Sequence, residues 1–164
     1  MKKVLLFLFC VLACYATATA QSVTKTRHTK AMATDEVTQG TLTIRKPDYI
    51  CISTDNDTDQ LIMDGTKFTM TMGKKKQTTD SQKNAQFATF QKVLHAVING
   101  HAMPVCDDLT TETKNGLTTL TITPKGKKRR LFTSFVLVVQ AKTGAFKTLR
   151  MNDRRGGYTE YTFK

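Results

Sequence analysis

The sequence predicts a mainly β fold with one helical insertion: a curved antiparallel sheet of roughly eight or more strands, with a helix laid as a lid over its apolar concave face. Three observations carry this. Threonines alternate with apolar residues in several short runs, turn signals separate those runs at close intervals, and one mid-chain segment changes from a period of two to a helical period. Composition agrees with one folded unit. The chain has 164 residues, 40% of them hydrophobic and 23% charged, with only 9 Gly and 3 Pro, which excludes collagen-like and low-complexity classes.

The elements follow in chain order. Met1-Lys2-Lys3, the apolar run from Val4 to Cys14 and the small residues ending Ala18-Thr19-Ala20 have the layout of a cleavable secretory signal over residues 1–20, with cleavage before Gln21. Residues 21–164 then form a single domain. Val11-Leu12-Ala13-Cys14 is the weaker alternative, a bacterial lipoprotein box that leaves a lipidated Cys14 as first residue. Either route takes the protein out of the cytoplasm. No second apolar run nears the ~20 residues of a membrane span.

Leu42 and Ile44 alternate with Thr41 and Thr43, Ile50 and Ile52 flank Cys51, and Phe68 and Met70 alternate with Thr69 and Thr71. A period of two puts each apolar set on one sheet face and the threonines, whose β-branching suits the pleat, on the other. From Ser81 to Asn99 the pattern changes. Phe87, Phe90, Leu94 and Val97 fall at helical spacing, Asp80 or Ser81 can cap the start, and Asn99-Gly100 can end it. Pro104 and a polar loop to Asn115 complete the insertion. Leu120 and Ile122 resume the alternation, Leu131 to Val139 is apolar on both faces, and Tyr161 and Phe163 flank Thr162 in a last strand. Asp55 to Asp59, Asp64-Gly65, Gly73-Lys74, Asn115-Gly116, Lys125-Gly126, Thr143-Gly144 and Gly156-Gly157 supply the turns of a meander.

Candidate chemistry is sparse. His28, His95 and His101 have no Ser, Cys or carboxylate pattern around them that resembles a nucleophile motif, and His95, His101 and Cys106 match no common zinc spacing. No metal or cofactor is implied. Asp55-Asn56-Asp57-Thr58-Asp59 begins like a calcium loop, but Gln60 stands where that loop needs glycine and Thr66 where it needs glutamate, so a polar hairpin tip is the better reading. The formal net charge is +12. Lys74-Lys75-Lys76 and Lys127-Lys128-Arg129-Arg130 lack the interleaved aromatics of a nucleic-acid surface, and an anionic membrane surface is the better partner for them. Cys51 and Cys106 are the cysteines left after cleavage. In an oxidising compartment they leave two alternatives, a bridge pinning the insertion to the sheet or two free thiols.

The stretch Gly40-Thr-Leu-Thr-Ile-Arg-Lys-Pro-Asp-Tyr-Ile-Cys-Ile, followed by Gln60-Leu-Ile-Met-Asp-Gly-Thr-Lys-Phe-Thr-Met, resembles the LolA-like periplasmic outer-membrane lipoprotein carriers. A helical insertion with Phe87, Phe90, Leu94 and Gly100, the Leu-Thr-Ile-Thr-Pro strand at 120–124 and the final Gly157-Tyr-Thr-Glu-Tyr-Thr-Phe strand keep the family's order across nearly all of residues 21–164. The resemblance implies a curved antiparallel half-barrel closed by helices, an apolar cavity for the acyl chains of lipoproteins, and no catalysis. It also implies a latch at the basic residue before the proline, here Lys46 with Arg45 beside it. Lysine lacks arginine's planar fork of donors, which weakens a bidentate latch. The family's leading amphipathic helix has no room here, so the lid should be smaller and the cavity more open.

The expectation is therefore a periplasmic, non-enzymatic carrier or chaperone for lipoproteins or other acylated or apolar ligands, working with inner- or outer-membrane partner proteins and binding no nucleic acid. The alternative is a non-enzymatic envelope binding or interaction module on the same fold. The expected lipid-binding residues are Leu42, Ile44, Ile50, Ile52, Phe68, Met70, Leu120, Ile122, Tyr161 and Phe163 on the sheet, faced by Phe87, Phe90, Leu94 and Val97 on the helix, the alternative being that the same residues pack against the helix as a dry core.

Overall fold

In the computed structural model, which describes residues 19–31, 33–125 and 131–164, the alternating runs form one open antiparallel sheet of 11 strands. The strands are β1 (Thr19–His28), β2 (Glu36–Arg45), β3 (Tyr49–Thr54), β4 (Asp59–Asp64), β5 (Lys67–Met72), β6 (Lys75–Asp80), β7 (Leu109–Lys114), β8 (Leu117–Ile122), β9 (Phe132–Gln140), β10 (Phe146–Asp153) and β11 (Tyr158–Phe163). One helix, α1 (Ala85–Asn99), stands between β6 and β7. The sheet order is β6-β5-β4-β3-β2-β1-β11-β10-β9-β8-β7. Two meanders, one on each side of the helix in sequence, are thus joined along a seam where β1 pairs with β11. Among the described residues, no helix is long and apolar enough to cross a membrane. The expected signal and Cys14 lie outside the described residues, apart from Thr19 and Ala20, which pair in β1 with Ile44 and Thr43. The basic run at 127–130 also lies outside them.

Register turns the alternation into a two-faced sheet. Val23 opposes Phe163, Leu42 opposes Ile52, Ile52 opposes Leu61, Leu120 opposes Leu137 and Leu137 opposes Leu149, and all of these side chains are buried on the concave face. At Gly40 the backbones of β2 and β3 come unusually close. A Cβ there would lie 1.9 Å from the Ser53 carbonyl oxygen, so only glycine lets β2 pass this close to β3.

The helix fits into the trough this curvature makes. Phe87 and Phe90 reach Phe68 on β5, at ring-centroid distances of 4.5 and 5.8 Å, and Phe135 on β9, at 5.8 and 4.5 Å. Six strands separate β5 from β9 in the sheet order, so a flat sheet could not touch one helix with both. Three polar contacts fix its ends and middle. Gln86 Oε1 accepts from Leu131 N at 2.8 Å, Gln91 Nε2 donates to the Gly65 carbonyl at 3.4 Å, and Asn99 Nδ2 donates to the Pro47 carbonyl at 2.6 Å.

Three element boundaries differ from the sequence expectation. The helix begins at Ala85, capped by Asn84, whose side chain accepts from Gln86 N at 3.2 Å; Ser81 to Lys83 form a turn instead. Lys75 to Asp80 and Leu109 to Lys114, read as a turn flank and a polar loop, are edge strands, and an edge strand needs no buried face to announce it. The C-terminal stop is Gly100 at φ 65°, as Asn99-Gly100 predicts.

Candidate functional site

The concave face has two parts with different contents. Under the helix, Leu42, Ile50, Ile52, Leu61, Met63, Phe68, Leu94, Phe146 and Leu149 surround a void of about 10 Å³, too small for any cargo. Phe87, Phe90, Val97, Leu120, Ile122 and Phe163 are buried in the same cluster, with Ile44 half-buried against it. These residues, expected to line an acyl cavity, form a dry core in this structure. The reason is packing. The aromatic stripe of one short helix is bulky enough to fill the trough it covers, and close-packed interiors leave few voids larger than a water.

Beyond the helix, the concave face is open and holds a cavity of about 610 Å³. Of the sequence-expected lipid residues only Met70 and Tyr161 line it. The rest of its apolar wall is Met72 on the β5 side and Leu131, Phe132 and Met151 on the β9–β10 side. Met72 and Leu131 are 43% and 46% exposed, so apolar surface stands at the mouth on both sides. Gln77, Thr71 and Thr159 add neutral polar surface. The charged lining consists of Lys25, Arg27, His28, Arg154 and Arg155 against Asp59 and Asp153.

The floor is built by the register of β1. Val23, Lys25 and Arg27 share the inward phase, so the strand that starts apolar under the helix ends cationic in the cavity. Lys25 is buried and pairs with Asp59 of β4, a contact that spans two intervening strands of the curved sheet. Asp59 also accepts from Gly73 N at 3.0 Å. Burial pushes the Asp59 carboxyl upward, but the hydrogen bonds from Lys25 and Gly73 and the charges of Lys25 and Arg27 outweigh it and hold the group below its ordinary value. Tyr161 lies opposite Lys25, and its phenol is pushed far up by burial and by the Asp59 charge, so it stays a neutral donor. Asp153 accepts from the backbone N–H groups of Arg155 and Gly157, at 2.6 and 3.0 Å, and so shapes the β10–β11 turn. Sequence reading passed over these residues because it followed apolar pairs. The available signal was a lysine in the inward phase of a strand.

The other expected sites resolve differently. Arg45 stacks over the Tyr49 ring at 3.9 Å, on the face of β3 away from the helix, and Lys46 is exposed. It is Asn99, through the Pro47 carbonyl, that ties the helix to this turn. Cys51 and Cys106 are both free thiols. Cys51 is on the outer face opposite Thr43 and Ile62, whereas Cys106 precedes β7 at the far end of the sheet order. Burial pushes the Cys51 thiol up. His95 and His101 place their rings 5.7 Å apart on the helix and the loop after it. In the Asp55 hairpin tip, Asp57 accepts from Ser53 and Asp55 Oδ2 accepts from Thr58 at 2.7 Å, so these carboxylates serve the turn.

Comparison with known proteins gives one assignment. Residues 16–164 match the family described as Outer membrane lipoprotein carrier protein LolA. No curated protein matches the chain. Among solved structures, a LolA superfamily protein from Nitrosomonas europaea is 10% identical, with a TM-score of 0.36 over 92% of this chain and 85% of that one. A DUF1329 family protein from Desulfovibrio piger gives 11% identity and a TM-score of 0.36, again over 92% and 85%. The MucA/MucB complex of Pseudomonas aeruginosa gives 9% identity and 0.36, over 88% of this chain and 50% of that one. Likenesses of this size decide nothing further, and the family match over most of the chain carries the conclusion. The chain belongs to the LolA family of outer-membrane lipoprotein carrier proteins.

Proposed function

We propose that this protein is a periplasmic carrier that shields the acyl part of a lipoprotein or another acylated ligand, and that it does so at the uncovered end of its half-barrel. The observation that carries the reading is the 610 Å³ cavity walled by Met70, Met72, Leu131, Phe132, Met151 and Tyr161. Its size falls within the roughly 300–1,000 Å³ of pockets that enclose small ligands. Each methylene removed from water there contributes about 0.8 kcal/mol, and methionines adapt to chains of varied shape. In this reading residues 1–20 act as the export signal and the helix is a fixed cover that keeps the cavity at one end. The reaction is transfer of cargo, with no bond made or broken.

The test is the lipid content of the protein purified from the envelope, read by mass spectrometry, beside displacement of a fluorescent acyl probe. We expect extractable acylated material and saturable probe uptake. The double variant Met72→Ser/Leu131→Ser should bind the probe at least tenfold more weakly at unchanged melting temperature, since both side chains are already half in solvent. Protein free of lipid that takes up no probe would leave the interaction-module alternative in its place.

A further inference from the structure

The charged lining of the cavity is not balanced, and the imbalance lies where a ligand would enter. The Lys25 ammonium is matched by Asp59. Among the described residues, Arg27 makes one ion pair, with Glu36 3.6 Å away at a partly exposed position, where such a pair is weak. Arg154 and Arg155 sit at the exposed β10–β11 turn and, among the described residues, have no carboxylate in ion-pair range. The one acidic side chain beside them, Asp153, is engaged by two backbone N–H groups. Lys30 packs over Gly156 in the same turn and adds a further cation. His28 and Tyr158, the other two titratable groups on this side of the lining, are both turned to Asp35, at 2.7 and 3.3 Å. Across the mouth, the β5–β6 turn that gives Gly73 N to Asp59 continues directly into Lys74, Lys75 and Lys76.

An apolar wall and a cationic rim on one cavity specify an amphiphile of one charge. Resting on the carrier reading above, we infer that the preferred ligand is an acidic amphiphile, an acyl chain ending in or near a carboxylate or phosphate. The chain lies against Met70, Met72, Leu131, Phe132 and Met151, and the anion meets the guanidinium groups of Arg27, Arg154 and Arg155 at the rim. Guanidinium forks suit both oxyanions, and Tyr161, whose buried phenol stays neutral, offers one more donor from the floor. A neutral or cationic head would leave the rim unsatisfied, so discrimination comes from charge and the affinity of every ligand from the chain.

The experiment measures binding of three probes of matched chain length to the full mature protein: a fluorescent fatty acid, the corresponding fatty alcohol and a lysophosphatidic acid. Both acids should bind at least tenfold more tightly than the alcohol, and added salt should narrow the gap because the rim is exposed. The variant Arg154→Gln/Arg155→Gln, confined to an exposed turn, should erase most of the preference while the alcohol binds as before. The tighter of the two acids identifies the head group. An alcohol bound as well as the acids, or a preference that survives the double variant, would overturn the inference and leave the carrier reading standing. Failure of all three probes would remove both.

Discussion

At the scale of single residues, the Lys25–Asp59 pair decides how one end of the concave face tolerates charge. A buried pair contributes little beyond an apolar alternative, but removing one partner strands the other at a cost of about 3–5 kcal/mol. Asp59→Asn leaves the buried Lys25 ammonium without its carboxylate, so unfolding by urea at neutral pH should show a loss of that order. The pH dependence has a defined sign. A carboxyl held low in the folded state contributes stability that is present above its unfolded value, about 3.9, and is lost as pH falls through the lower folded value. Wild-type protein should therefore lose stability below about pH 4, and the Asp59→Asn variant should show a smaller loss over the same window. Phe90 makes the contrasting case. It is fully buried, stacked on Phe135 at 4.5 Å and not among the cavity-lining residues, so Phe90→Ala should cost about 3–5 kcal/mol while acyl-probe affinity of the folded fraction is unchanged.

At the scale of elements, curvature is set by small features of particular strands. Gly40→Ala forces a methyl group against the Ser53 carbonyl, and β2 must move to admit it. Overpacking of this kind costs about 1–3 kcal/mol, which thermal unfolding of the variant should show as a lowered midpoint. Much of this layer was legible in the chain. Alternation in Leu42-Thr43-Ile44 or Leu120-Thr121-Ile122 fixes a face, and Asp64-Gly65 or Asn115-Gly116 fixes a turn, because both are local demands of backbone geometry. The edge strands β6 and β7 escaped because Lys75 to Asp80 and Leu109 to Lys114 carry no apolar phase, having little to bury. The candidate site escaped for another reason. Whether Phe87 and Phe90 line a cavity or fill a core depends on how far β5 and β9 close around them, and that distance is a property of the whole sheet.

At the scale of the molecule, one helix covers one part of a trough and leaves the other part open, and this division separates stability from binding. The part under α1 holds most of the large aromatic side chains, while the open part holds Met70, Met72, Met151, Tyr161 and the cationic rim. On the carrier reading, changes at Met72, Leu131 or Arg154 should alter ligand handling with little effect on folding, and changes at Phe68 or Phe135 should do the reverse.

The seam between β1 and β11 gives the fold a direction in time. Val23 pairs with Phe163, so the centre of the sheet is closed by the first and last strands, while each flanking meander pairs only neighbours in sequence. Local hairpins form early and distant pairings late, because the loop entropy must be met before the contact forms. A chain that still lacks its last strand has no partner for one edge of β1 and leaves β10 as a second open edge. Deleting residues 158–164 should hold it there. Size-exclusion chromatography of such a truncated chain should show association through the exposed edges of β1 and β10, where the full-length protein elutes as a single smaller species.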